Sequence, residues 1–195
     1  MDGPKFQLLR EKTNRDTALI FLQETHSRSD IFFEKIPGLP HHKIAIHSGT
    51  LQTHDGVMVL TNDDITVQEA SVLIPGRVVA VRFSYLNAIY VAINCYLDAS
   101  NNPGIKRTEI QTINTFLENS YRAYDVEKII IAGDFNINLN QPNRIHDAIF
   151  LPFLVRNYLI DFPKIAFLNE NVTRRGGGRW LTAARELTLF WPRPI

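Results

Sequence analysis

Three polar groups stand where apolar runs end: Glu24 after Thr17-Ala-Leu-Ile-Phe-Leu22, Tyr96 in Asn94-Cys95-Tyr96, and the pair Asp134 and Asn136 after the run at 128–132. As a set they suit phosphodiester hydrolysis. A carboxylate such as Glu24 is a ligand for Mg²⁺, a hard cation that prefers oxygen and is often held by only one or two protein carboxylates, with Mn²⁺ as the alternative ion. Such an ion polarises a phosphoryl or leaving-group oxygen. Asp134 is placed to orient or deprotonate an attacking water, with Asn136 two residues on along the same face of an extended segment. Tyr96 can donate a hydrogen bond to the phosphate as charge develops. Singly, each group has a plainer reading. Glu24 can be a solvated strand-end carboxylate and Tyr96 a half-buried core aromatic with its hydroxyl at the surface. Asp134-Phe135-Asn136 can be a turn closed by side-chain-to-backbone hydrogen bonds.

Positioning these groups requires strands that end at one edge. The run at 17–22 is continuously apolar after Thr17, the pattern of a strand buried on both faces. Further strand-like runs lie at 43–47, 56–60, 65–73, 78–84 and 89–94, separated by turn formers such as Asn62-Asp63-Asp64 and Pro75-Gly76. From 106 to about 124, Ile110, Ile113, Phe116 and Leu117 recur at helical spacing, and the strand at 128–132 leads into Gly133-Asp134-Phe135-Asn136. A short amphipathic helix is expected around Phe6, Leu8 and Leu9 after Pro4. Beyond Asn143 a helix is expected through Ile149, broken at Pro152 and resuming through Leu154, Tyr158 and Leu159. Residues 180–195 show neither strand alternation nor helical amphipathicity.

The chain has 195 residues, which at about 150 residues per domain predicts one domain. With 45% hydrophobic residues and 21 Lys and Arg against 20 Asp and Glu, the composition is that of a folded globular protein. The single cysteine, Cys95, cannot form an intrachain bridge and fits a reducing intracellular compartment. No stretch approaches the roughly 18 apolar residues of a membrane helix, so no membrane association is expected. The formal net charge of +1 excludes a strongly basic nucleic-acid footprint and leaves room for a local basic groove.

The order of these motifs resembles the endonuclease/exonuclease/phosphatase family, specifically the apurinic-endonuclease-like domain of non-LTR (LINE-type) retrotransposons. Leu22-Gln23-Glu24-Thr25-His26 is similar to that family's metal-binding Gln-Glu-Thr segment, Asn94-Cys95-Tyr96 to its Asn-x-Tyr strand, and Gly133-Asp134-Phe135-Asn136 to its Gly-Asp-Phe-Asn catalytic strand. Gly56-Val57 and Gly76-Arg77-Val78 sit where relatives have similar short strands. The resemblance implies an α/β fold, a four-layer α-β-β-α sandwich, with the site at one end of its two sheets. It implies Glu24 as metal ligand for Mg²⁺, and Tyr96, Asp134 and Asn136 as the catalytic group. Thr173, Arg174 and Arg175 are expected to contact nucleic acid. DNA is then the expected partner, together with the reverse transcriptase domain of a parent polyprotein, and the nucleus the expected location if the target is chromosomal.

The chain also departs from that pattern. No strand bearing the family's first Asn precedes the first helix, and Met1-Asp2-Gly3-Pro4 cannot replace it. The last histidine is His146, and no residue after Arg179 is an Asp or a His, so the family's terminal Ser-Asp-His is missing here. The expectation is a domain over 1–179, incomplete at its N-terminus, and a divergent tail over 180–195. Codons for Arg185-Glu-Leu-Thr-Leu-Phe-Trp191, read one base earlier, can spell Arg-Thr-Asp-Phe-Ile-Leu, close to a family strand, which favours a frameshift or misplaced exon boundary. These losses predict an impaired endonuclease, with a non-catalytic remnant or nucleic-acid-binding module as the alternative. Repair of abasic sites and phosphomonoester hydrolysis are the competing activities within the family.

Overall fold

A computed structural model describes residues 9, 11, 13, 15–26, 38–51, 55–100, 102–124, 126, 128–136, 145–161 and 189–192. Among them nine strands form two sheets. β1 (Leu19–Gln23), β2 (His42–Ser48) and β3 (Val57–Asn62) make a three-stranded antiparallel sheet in the order β1-β3-β2. β4 (Thr66–Ile74), β5 (Val78–Tyr85), β6 (Ala88–Tyr96), β7 (Lys128–Asp134), β8 (Ile160–Asp161) and β9 (Leu189–Pro192) make a six-stranded sheet in the order β4-β5-β6-β7-β9-β8. Only β6 and β7 run parallel, as a crossover through α1 (Pro103–Ala123) requires. A second helix, α2 (Ile145–Arg156), follows β7.

Both faces of the large sheet are covered, and the period of two along each strand decides which residue meets which layer. Val78 and Ala80 of β5, Val91, Ile93 and Cys95 of β6, and Ile129 and Ile131 of β7 pack with Ile110, Ile113 and Leu117 of α1 and Phe150 and Phe153 of α2. The alternate residues Val79, Val81, Phe83, Ala92 and Tyr96 pack instead with Val57 and Val59 of the small sheet. The far side of the small sheet is covered by Leu39 and Leu9 over Ile20, Met58 and Leu60. Leu9 and Glu11 are helical, and the Thr13 amide donates to the Leu9 carbonyl at 3.0 Å, so the expected first helix is present over its described part. The layers therefore run helices, large sheet, small sheet, and a cover to which Leu9 and Leu39 contribute. This is an α/β sandwich of the endonuclease/exonuclease/phosphatase type. β1 lies at an edge of the small sheet among the described residues.

The seven strands expected before residue 135 all form, with ends displaced by no more than two residues. The helix expected at 106 starts three residues earlier, because the Asn102 side chain accepts from the amides of Gly104 and Ile105 while Pro103 occupies the first turn. Two expectations need correction. Pro152 does not break α2, which runs unbroken to Arg156. Phe150 and Phe153 are buried, and Phe150 lies 4.9 Å from the Phe135 ring and 5.7 Å from the Phe153 ring, so packing on both sides of Pro152 offsets its lost hydrogen bond. Within the tail, where neither strand nor helix was expected, Leu189–Pro192 is a strand inserted between β7 and β8, with Trp191 opposite Ile129. An inserted strand has neighbours on both edges, and so short an apolar run carries no alternation to read.

Candidate functional site

The three strand ends singled out by sequence lie at the same end of the sandwich. Tyr96 and Asp134 close β6 and β7 and are register partners in the parallel pair. Partners in register share a face, and Tyr96 follows Asn94 and Ala92 on the face that meets the small sheet. Glu24 is the first residue beyond β1 of that small sheet. Backbone hydrogen bonds run across this end of both sheets, and the middle one of three joins the two. The Thr25 amide donates to the Gly56 carbonyl (3.1 Å), the Gly56 amide to the Gly76 carbonyl (3.0 Å), and the Tyr96 amide to the Arg77 carbonyl (2.7 Å). Gly56 has φ of 110°, and a Cβ there would stand 2.3 Å from Thr25 Oγ1, so the seam closes only around glycine.

Side chains complete the junction. The Tyr96 hydroxyl, on a buried residue, donates to Glu24 Oε1 at 2.7 Å across 72 positions of sequence. One turn of the pleat earlier, fully buried Asn94 donates through Nδ2 to the carbonyls of Leu22 and Met58, both at 2.9 Å, and accepts from Gln23 Nε2 at 2.6 Å. The Arg77 guanidinium lies over the Tyr96 ring, 4.9 Å from its centroid. Burial pushes the Tyr96 hydroxyl up to about 12; its bond to Glu24 and the charges of Glu24 and Asp134 act the same way, against Arg77. Tyr96 is therefore a neutral donor at any physiological pH.

The Asp134 end is built differently. Gly133 has φ of 134°, and a Cβ on it would come within 1.9 Å of the Cys95 carbonyl oxygen, so β6 and β7 approach here only because residue 133 is glycine. β7 ends at Asp134, and Asn136 is left-handed (φ 49°), so it does not continue an extended segment as expected. Its amide donates to Asp134 Oδ1 at 2.8 Å, closing a turn, and its Nδ2 donates to the Leu97 carbonyl at 2.9 Å. The motif is thus a turn: an Asn tolerates the left-handed region, and the turn brings its amide back beside the carboxylate. Phe135 between them is fully buried against Phe150 and anchors the loop. Glu24 is left-handed as well (φ 51°), a conformation uncommon for a long side chain and concentrated at functional sites.

Glu24, Tyr96, Asp134 and Asn136 are thus brought to one end of the sheets, whereas Thr173, Arg174 and Arg175 lie outside the described residues. Four residues that sequence left without a site role also converge here: Gln23 and Asn94 in the seam, Arg77 over Tyr96, and buried Lys106, whose Nζ donates to backbone carbonyls of the site loops. Lys106 had a legible signal, since a cation in the first turn of a helix opposes the helix dipole and calls for another reason. The donors suit a hard cation: Glu24 is exposed, and among the described residues no cluster of three or more His, Cys, Asp or Glu gathers as a closed transition-metal site would require.

Solved structures share this architecture. The endonuclease domain of TRAS1, a telomere-specific non-LTR retrotransposon, superposes with a TM-score of 0.62 and 16% identity over 97% of this chain and 80% of that one. An AP endonuclease from Archaeoglobus fulgidus gives a TM-score of 0.63 and 14% identity over 94% and 79%. The human Nocturnin catalytic domain with bound sulfate gives 0.63 and 12% over 89% and 68%. No protein-family model and no curated protein sequence matches the chain. At such identities the likeness establishes the fold, and the chemistry rests on the site.

Proposed function

We propose that the chain is a metal-dependent phosphodiesterase-type domain, a DNA endonuclease of the non-LTR retrotransposon kind that is impaired as this chain stands. The observation that carries the reading is the Tyr96 hydroxyl on Glu24 Oε1 at 2.7 Å, with Asp134 beside Tyr96 in register at the common end of both sheets. Glu24 would hold Mg²⁺ or Mn²⁺, which supplies charge stabilisation at the phosphoryl oxygens when bound. Asp134, its Oδ1 tied to the Asn136 amide, orients the attacking water and accepts its proton. Tyr96 remains protonated, and its single O–H, which holds Glu24 in the free protein, would turn to a phosphate oxygen when one binds. The Nδ2 of Asn136 is turned to the Leu97 carbonyl, which makes Asn136 a brace for Asp134 as well as a candidate phosphate contact.

The proposed partner is DNA, with Thr173, Arg174 and Arg175 supplying contacts and the reverse transcriptase domain of a parent polyprotein acting downstream; the location that follows is nuclear. No described helix is long and apolar enough to cross a membrane. Impairment is part of the proposal because residues 180–195 contain neither the Asp nor the His that the resemblance calls for, and loss of one positioned donor costs about 10²–10³ in rate. Nicking of supercoiled plasmid, run beside an abasic oligonucleotide, tests the reading. Slow Mg²⁺-dependent nicking of intact DNA is expected. Cleavage confined to abasic sites would replace the retroelement reading with a repair function, and binding without any cleavage would leave a nucleic-acid-binding module.

A further inference from the structure

Lys106 is 1% exposed, although a lysine is almost never fully buried unless its ammonium is matched. It sits in the first turn of α1, where the helix dipole disfavours a cation, and the charges of Glu109 one turn on and of Asp98 lie near enough to act on it. Its Nζ reaches three carbonyl oxygens: that of Asp98, that of Phe135 at 3.4 Å and that of Asn136 at 3.2 Å. An ammonium has three donors in a compact cone, and here they meet carbonyls drawn from two separate loops. One loop begins immediately after Tyr96, with Asp98 its second residue. The other begins immediately after Asp134. One helical turn further on, Glu109 accepts the Asp98 amide at 3.1 Å, so α1 grips the same loop through both its carbonyl and its amide.

From this geometry we infer that Lys106 is a positioning residue for the site, locking the exits of β6 and β7 to each other and holding Asn136 in its left-handed turn beside Asp134. Two other bonds join the same segments. The Leu97 amide donates to the Asp134 carbonyl at 2.9 Å and Asn136 Nδ2 to the Leu97 carbonyl at 2.9 Å, and both are neutral, whereas the ammonium is charged, buried and bonded to both sides at once. A plain fold-stabilising lysine would have no reason to draw its acceptors from the two loops that carry the reacting groups. The catalytic half of this inference rests on the phosphodiesterase reading; the positional half stands without it.

Lys106→Met removes the charge at nearly constant volume, and amide hydrogen exchange on the full chain reads the positional effect directly. Exchange at Leu97 and Asn136 is expected to accelerate by about tenfold or more, with Val79–Val81 in β5 unchanged. In the nicking assay the same variant should lose about 100-fold in kcat with KM held within about twofold, since misplacing reacting groups by an ångström costs that much. Lys106→Gln, which retains an amide donor toward the same carbonyls, should recover part of both effects and serves as the readable variant if Lys106→Met does not fold. Unchanged exchange at Leu97 and Asn136, or acceleration spread evenly over the chain, would overturn the inference. Absence of nicking by the unmodified protein would instead sink the phosphodiesterase reading and leave the exchange result to decide the role of Lys106.

Discussion

The two halves of the site are held by different means. The Glu24–Tyr96 half is a seam between two sheets, made by side chains that reach segments distant in sequence: Tyr96 meets Glu24 across 72 positions, and Asn94 meets the Gln23 side chain across 71 and the carbonyls of Leu22 and Met58 across 72 and 36. The Asp134–Asn136 half is a local turn, in which a carboxylate accepts an amide two residues away and a helix braces the loop from behind. A seam depends on how the whole sandwich packs, and a turn depends on a few adjacent residues. Damage to the first should therefore appear as lost stability, and damage to the second as lost chemistry on an intact fold.

Asp134→Ala is the sharpest way to break this contrast. Loss of a positioned general base costs about 10²–10⁴ in rate, so any plasmid nicking by the unmodified protein should fall by about 10³ while the urea midpoint moves little. Retained nicking would remove Asp134 from the chemistry. A large fall in midpoint would show that the turn supports the fold as much as the seam does.

Asn94→Ala attacks the other half. The substitution deletes three hydrogen bonds in a fully buried position and strands two strand carbonyls, at a net cost of roughly 1 kcal/mol per bond, so a loss of about 3 kcal/mol is expected in urea denaturation. A change below about 1 kcal/mol would mean that water replaces the amide and that the sheets are held chiefly by the apolar layer of Val57, Val59, Val79 and Val81.

Much of this arrangement is readable in the sequence, for reasons that also mark where reading stops. β5 and β6 are legible because both faces are apolar and their ends coincide with Pro75-Gly76 and Leu86-Asn87; the coincidence of Glu24, Tyr96 and Asp134 follows from three strands ending in polar residues. Pro152 misleads because local propensity says nothing of Phe135, which packs on Phe150 from the loop after β7 while Phe153 packs on it from the same helix. β9 is illegible because its four residues acquire strand structure only by pairing with β7 and β8. Asn136 is misread as extended because Gly-Asp-Phe-Asn fits a strand and a turn equally well until the Asp134 carboxylate is seen to accept its amide. Lys106 shows in the sequence as a cation at a helix start, and the tertiary structure adds that its ammonium is sealed under two loops.

A smaller effect separates the hydroxyl of Tyr96 from its ring. Tyr96→Phe keeps the stacking of Arg77 and the buried ring and removes only the bond to Glu24, so stability should fall by about 1 kcal/mol, well short of Asn94→Ala. Nicking should fall by about 10-fold or more if the hydroxyl also meets phosphate, since donors that act in the transition state are worth more than ground-state bonds. Equal loss in stability and none in rate would confine Tyr96 to the seam.

The finest test is the titration of Tyr96 itself, followed through its ring carbon by NMR with tyrosine labelled and assigned, because Tyr121 is also pushed up to about 12 by burial and would overlap in absorbance. Burial is the largest cause of the raised Tyr96 value, and the bond to Glu24 and its charge come next. Glu24→Gln removes the charge and leaves the burial, so Tyr96 should titrate lower by about one pH unit yet remain above the ordinary value near 10. The sign for stability follows from linkage: between pH 10 and about 12 the unfolded tyrosine has lost its proton while the folded one keeps it, so stability falls as pH rises through that window. The fall should be shallower in Glu24→Gln. A Tyr96 titration unmoved by the substitution would mean that the hydroxyl does not face Glu24 in solution, and the seam would then rest on Asn94 and the apolar layer alone.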